Sequence, residues 1–181
     1  MSRHQLRLTG SGGQGVILAT IIMAEAGYMD GKHVVQSQSY GPEARGGMCK
    51  AETIIDEQRI NYSKIEIPTL LLSLTQMSFD KYVKKTKADT LIIVDNHIEV
   101  PERIKSRHEV LSLPILYSAK EVLDSPVVAN IICIGAINEA LQIASKDAME
   151  QAVLGHIPKG SEAINLKALQ LGADLVKEAR G

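Results

Sequence analysis

The chain switches between two hydrophobic periods. Residues 4–10 (His-Gln-Leu-Arg-Leu-Thr-Gly) alternate apolar and polar side chains, as a strand does. Residues 14–28 change to helical spacing. Val16, Ala19, Met23 and Gly27 form one stripe, and Ile17, Ile21, Ile22 and Ala24 fill much of the rest. Only Thr20 and Glu25 are polar in its middle, so this helix is expected to be covered on more than one side, another subunit being one candidate cover.

Asp30-Gly-Lys turns the chain into a second strand, His33 to Ser39, centred on Val34-Val35. Residues 48–56 alternate again, with Cys49, Ala51, Thr53 and Ile55 on one face and Lys50, Glu52, Ile54 and Asp56 on the other. Glu57-Gln-Arg59 then turns toward Ile60-Asn-Tyr-Ser63, which predicts a β-hairpin. Pro68 opens an apolar strand over Thr69 to Leu74, suited to the centre of a parallel sheet. A short helix over Gln76 to Lys85 is expected to turn Met77, Tyr82 and Val83 inward. Strands follow at 90–95 and 109–114.

Ser118-Ala-Lys-Glu121 has the form of a capping box before a short helix. Val127 to Ile143 reads as the main buried helix. Lys146 to His156 is an amphipathic helix with Met149, Val153 and Leu154 inward. Ser161 to Ala179 is the last helix, with the stripe Leu166, Leu169, Ala173 and Val176. The prediction is one α/β domain over residues 1–181, Rossmann-like, with a mostly parallel sheet, one β-hairpin and a helical C-terminal portion.

Composition narrows the function classes. A formal net charge of −1 leaves no basic field for nucleic acid or an anionic membrane, and 3% aromatic residues with no Trp give little to stack bases on. The most apolar run, Pro126 to Ala144, is broken by Asn130, Asn138 and Glu139 and falls short of the roughly 20 residues of a membrane span. Cys49 and Cys133 are far apart and outside any C-x-x-C pattern, so neither an iron–sulfur cluster nor zinc is expected in this chain. None of His4, His33, His97, His108 or His156 has a spaced metal-binding partner, and no metal site is expected. Met1-Ser-Arg-His runs directly into the first strand without a signal peptide, which predicts a cytoplasmic protein.

Two stretches carry candidate chemistry. The first is Gly10-Ser-Gly-Gly-Gln-Gly15, of the form G-x-G-x-x-G between a strand and a helix, with Gly10, Gly12, Gly13, Gln14 and Gly15 as candidate binding residues. Glycines there permit a tight turn and close backbone approach, and the helix N-terminus supplies unpaired N–H groups. Three readings stand: a dinucleotide cradle, a loop for another phosphate or a partner, and glycines needed only for backbone geometry. The dinucleotide reading wants an acidic residue at the end of the second strand, where Gln36-Ser-Gln-Ser39 stands instead; Asp30 precedes that strand.

The second stretch is Gln38-Ser-Tyr-Gly-Pro-Glu-Ala-Arg-Gly-Gly47, with Tyr40, Gly41, Pro42, Glu43, Arg45, Gly46 and Gly47 as candidates. Arg45 either grips a carboxylate or phosphate bidentately or pairs with Glu43 to shape the loop. Asp95 ends a buried strand, as site residues often do, but reads more simply as a cap or turn residue; Ser73 and Gln76 carry the same ambiguity. There is no G-x-S-x-G elbow and no P-loop, so no catalytic residue is assigned.

The two loops together resemble the gamma subunit of 2-oxoacid:ferredoxin oxidoreductases. The resemblance extends to Val94-Asp95, Asn130, Gly135-Ala136, Lys159, Asn165, Ala168 and Gly172, and so covers essentially the whole chain. It implies a complex that converts a 2-oxoacid and coenzyme A into acyl-CoA, carbon dioxide and reduced ferredoxin, with 2-oxoglutarate the best-matching substrate. It also implies that thiamine diphosphate and iron–sulfur clusters belong to the complex. This chain lacks both signatures, so it is expected to bind alpha and beta subunits, with a delta subunit in some complexes, and to reach ferredoxin only through them. A homodimer is one state open to the chain produced alone, since its apolar helices need cover. The rivals are a free-standing dinucleotide-dependent dehydrogenase and a purely structural assembly subunit.

Overall fold

Short runs without a polar interruption, Leu70-Leu-Leu72 and Leu91-Ile-Ile-Val94, set the centre of the sheet, because a strand apolar on both faces must be covered on both. The computed structural model describes residues 3–39 and 47–181. Six strands, β1 (His4–Ser11), β2 (His33–Gln38), β3 (Met48–Asp56), β4 (Leu70–Ser73), β5 (Leu91–Asp95) and β6 (Val110–Leu113), form one sheet in the order β2-β3-β1-β4-β5-β6. β1, β4, β5 and β6 run parallel, whereas β3 is antiparallel to both β1 and β2.

The single mostly parallel α/β sheet matches the expected fold class, but its antiparallel pairing differs from the hairpin read in the sequence. Residues 57–69 form no strand, and β3 does not turn back on Ile60–Ser63. Both edges of β3 are already taken, by β1 (Leu6 opposite Thr53) and by β2 (Val34 opposite Ile55). The segment instead crosses toward β4, burying Ile65, whose carbonyl accepts a 2.8 Å bond from Arg7 Nη2.

One sheet face carries Leu6, Leu8, Leu70, Leu72, Ile93, Leu111 and Leu113. It is covered by α1 (Val16–Met29), α5 (Ala129–Leu141), α6 (Lys146–Leu154) and α7 (Glu162–Arg180). Each fully buried Leu or Ile stabilises by about 2 kcal/mol, so this face dominates the fold. The opposite face carries Ile92 and Val94 under Phe79 of α2 (Gln76–Tyr82). It also holds a buried ion pair, Arg7 Nε to Glu52 Oε1 at 2.6 Å.

Some helix phases differ from expectation. α2 is capped by Thr75, whose side chain accepts from the Ser78 N–H, and it buries Ser78, Phe79 and Tyr82 while Met77 points to solvent. α7 buries Asn165, Ala168, Leu169, Gly172, Leu175 and Val176, leaving Leu166 and Ala173 at its margin. Leu154 is exposed. Ser118 caps nothing: the helical turn starts earlier, at α4 (Ile115–Tyr117), because Asp95 Oδ2 accepts the Leu116 N–H at 2.7 Å. Two short turns, Ser118–Val122 and Pro126–Val128, lead from there into α5. The short α3 (Glu102–Lys105) precedes β6. No described helix is long and apolar enough to cross a membrane.

Candidate functional site

The chain leaves β1 in one direction and β4 in the other. α1 passes over β3 toward β2, whereas α2 passes on the opposite face toward β5. The carboxyl ends of β1 and β4 are therefore the place where the chain departs to opposite faces, a position at which open α/β sheets bind ligands. The glycine loop stands at the end of β1.

Three local features shape this loop. The Ser11 N–H donates to Gln14 Oε1 at 2.7 Å and the Gln14 N–H to the Ser11 carbonyl at 3.3 Å, so Gln14 closes the turn on itself. Gly13 and Gly15 take φ of 86° and 75°, a left-handed backbone that glycine adopts freely. Gly15 is the N-cap of α1, and its carbonyl accepts the first helical bond, from the Ala19 N–H at 3.0 Å. The preceding helical N–H groups have no intrahelical partner, no acidic side chain stands in the first turn, and no side chain caps the end. The open end of α1 thus favours an anion.

Asn130 braces the loop from behind. This buried residue of α5 donates from Nδ2 to the Gly15 carbonyl at 3.4 Å, and a Cβ on Gly15 would sit 2.7 Å from the same nitrogen. Gly12 and Gly13 face the other way, with nothing within 4 Å of an added Cβ. In the sequence Asn130 stands out as a polar residue inside the most apolar run and as one of the residues that carry the resemblance, without any sign of the loop it braces.

One flank of the second stretch adjoins the first. Ser11 pairs with Met48 and Gly10 with Cys49, which sets Gly47 beside the glycine loop, and the Ser39 N–H bonds the Lys50 carbonyl at 3.4 Å on the far side. Tyr40, Gly41, Pro42, Glu43, Arg45 and Gly46 lie outside the described residues; their flanks stand on one edge of the sheet, Gly47 beside the end of β1 and Ser39 at the end of β2. Burial pushes up the pKa of the Cys49 thiol opposite Gly10.

The remaining candidates are structural. Asp95 is buried and fully engaged: Oδ2 takes the Leu116 N–H, while Oδ1 takes the His97 N–H at 3.2 Å and the His97 Nδ1–H. This is the cap and turn role expected of it. Among the described residues no hydroxyl or thiol bonds His97. Ser73 is buried against Thr9 Oγ1 at 2.8 Å. Gln76 clamps the Glu99 backbone with both ends of its amide, at 2.8 and 3.1 Å.

The sequence reading missed an exposed apolar collar of three side chains between β6 and α5. Tyr117, Val122 and Val127 are 61%, 59% and 83% exposed, and Val127 lies three residues before Asn130. Exposed apolar side chains of this size are the material of contact surfaces.

The architecture also bears on the dinucleotide reading. That mode needs the end of the second strand directly beside the first. Here β3 intervenes, which moves β2 about 10 Å from β1, two strand spacings, and out of reach of a ribose held on the loop. Nor do the described residues suit a resident metal centre: no three His, Cys, Asp or Glu side chains converge, and Cys133 is buried in α5, its thiol pushed far up by burial and by the Asp95 charge.

A mostly parallel six-stranded sheet with apolar clusters on both faces, and a glycine loop between its first strand and first helix, defines a Rossmann-like α/β domain. The chain belongs to the pyruvate ferredoxin/flavodoxin oxidoreductase family, whose pattern matches residues 5–175. It is 39% identical over 178 residues to the 2-oxoglutarate synthase subunit KorC of Methanocaldococcus jannaschii, covering 97% of this chain and 95% of that one. The crystal structure of the keto/oxoacid ferredoxin oxidoreductase gamma subunit from Geobacter sulfurreducens superposes with a TM-score of 0.85 at 38% identity, over 97% and 99% of the two chains. A 2-oxoglutarate:ferredoxin oxidoreductase from Magnetococcus marinus, solved with 2-oxoglutarate, coenzyme A and succinyl-CoA, shares the fold (TM-score 0.88, 21% identity) over 98% of this chain and 32% of that one.

Proposed function

We propose that this chain is the gamma-type subunit of a cytoplasmic 2-oxoacid:ferredoxin oxidoreductase, with 2-oxoglutarate as the oxoacid, and that its two loops receive coenzyme A. The complex oxidises the 2-oxoacid, releases carbon dioxide, transfers the acyl group to coenzyme A and passes electrons to ferredoxin. Thiamine diphosphate and the iron–sulfur clusters supply the carbanion and electron chemistry and reside in the alpha, beta or delta chains. This chain's own contribution is binding and orientation. The unpaired N–H groups at the start of α1 receive a phosphate of coenzyme A, Gly12 and Gly13 let it approach the backbone, and Arg45 adds a bidentate contact. The collar of Tyr117, Val122 and Val127 seats the catalytic subunits around it.

The observation that carries this reading is the open space in front of Gly12 at an uncapped helix N-terminus. Gly12→Glu fills that space with negative charge without disturbing the fold. In the assembled complex, the Michaelis constant for coenzyme A is expected to rise about tenfold, equivalent to about 1.4 kcal/mol, with that for the oxoacid unchanged. Arg45→Ala should act in the same direction. If both variants assemble normally and keep the parental coenzyme A constant, the loops do not bind it and the subunit is structural.

A further inference from the structure

Seven described lysine and arginine side chains have carboxylate partners: Arg3 with Asp56, Arg7 and Lys50 with Glu52, Lys120 with Glu121, Lys146 with Glu150, Lys177 with Glu139, and Arg180 with Glu109. Arg59, Lys64, Lys87, Lys159 and Lys167 make no ion pair, Lys64 and Lys87 sharing a groove with Glu66 and Asp89. The surface between α2 and α3 gathers more cations of this kind. Lys84, Arg103 and Arg107 line one groove of about 510 Å³ there; all three are exposed, and none makes an ion pair. Lys85 and Lys105 are exposed beside them.

The acidic groups nearby make no ion pair with this cluster. Asp80 lines the groove but accepts from Gln76 Nε2 at 3.0 Å, Glu102 occupies the first turn of α3, and Glu99 lies on the Gln76 side. His108 is committed to the structure through Thr86 Oγ1 and the Ile104 carbonyl, both at 3.1 Å. Pro101 is exposed in the groove, and Val83 and Ile104 are only half-buried, so its floor is apolar.

An apolar floor ringed by unpaired cations suits a protein surface whose apolar side chains are flanked by carboxylates. A lone small anion would leave the floor uncovered. Nucleic acid is disfavoured by the net charge of −1 and the absence of an exposed aromatic ring among the groove residues. We propose that the α2–α3 groove docks an acidic face of another subunit of the same complex, on the sheet face opposite α1, α5 and α7. The proposal rests on the complex assigned above. Rim charges of this kind set orientation and association rate, while the apolar floor supplies the area buried.

The test compares the purified complex with the isolated chain. Brief acetylation should label Lys84 about fivefold less in the complex, with Lys167 on exposed α7 labelled equally in both. Zero-length carbodiimide coupling should join Lys84 or Lys105 to an Asp or Glu of a different subunit. Arg103→Glu with Arg107→Glu should release the chain from the complex at moderate salt, while its melting temperature alone is unchanged. Equal labelling of Lys84, coupling only within the chain or to a second copy of it, protection removed by nuclease, or full retention of the double variant would each overturn the proposal. A chain that copurifies with no other subunit would instead overturn the assignment to a complex, so the two failures are distinguishable.

Discussion

Glycines at two places in this molecule do opposite work. At the crossing of α5 and α7, Gly135 and Gly172 exist because there is no room. An added Cβ on Gly172 would lie 2.7 Å from the Ala136 nitrogen and 2.9 Å from the Ile132 carbonyl carbon, and one on Gly135 would lie 2.9 Å from the Leu169 carbonyl carbon. In the glycine loop, Gly12 and Gly13 look into open space. The first pair lets two helix backbones touch; the second leaves a surface bare for something absent from the chain itself. An identical residue therefore reports packing in one region and binding in the other, and the neighbours alone distinguish them.

The contrast is broken most decisively at the crossing. Gly172→Ala must push two helix backbones apart, because the obstructing atoms are main chain and cannot rotate away. A loss of about 3 kcal/mol is expected, read as a shift in the urea midpoint of the isolated chain. A loss below about 1 kcal/mol would mean that α5 and α7 slide freely, and that the close crossing is not what turns Asn165, Ala168 and Leu175 inward on α7. Gly15 combines both conditions, a φ of 75° and a side chain 2.7 Å away. Gly15→Ala should cost about 2 kcal/mol, and Asn130→Ala in the same chain should recover part of that by removing the crowding but not the backbone strain.

These two regions also mark how far the sequence could be read. The parallel strands were legible because Leu70–Leu72 and Leu91–Val94 have no polar interruption, and α1 because its small residues recur at helical spacing. The partner of β3 was not, because strand alternation fixes faces and leaves neighbours open; only the sheet order shows that β1 and β2 occupy both edges. The α7 stripe was misplaced by one helical row, since Gly172 reads as a weak helix residue until Gly135 is found opposite it. In the site, Gly10 to Gly15 were evident from spacing. The brace from Asn130 was hidden by 115 residues of separation, and the collar of Tyr117, Val122 and Val127 lacked any periodic pattern because it is spread over three short helical segments.

The smallest effects separate conformation from space within the loop itself. Gly13 has a φ of 86° and no neighbour within 4 Å, so Gly13→Ala isolates the cost of a left-handed backbone, about 1 kcal/mol. Gly12 has neither constraint, and Gly12→Ala should leave stability unchanged or raise it by about 0.5 kcal/mol through the unfolded chain. Read together by urea denaturation, the two substitutions decide whether the loop's shape is intrinsic. If Gly12→Ala destabilises as much as Gly13→Ala, the residue is held in a conformation that only glycine tolerates, and its bareness serves the fold. If it costs nothing in the isolated chain yet weakens coenzyme A use in the complex, the missing side chain serves the ligand.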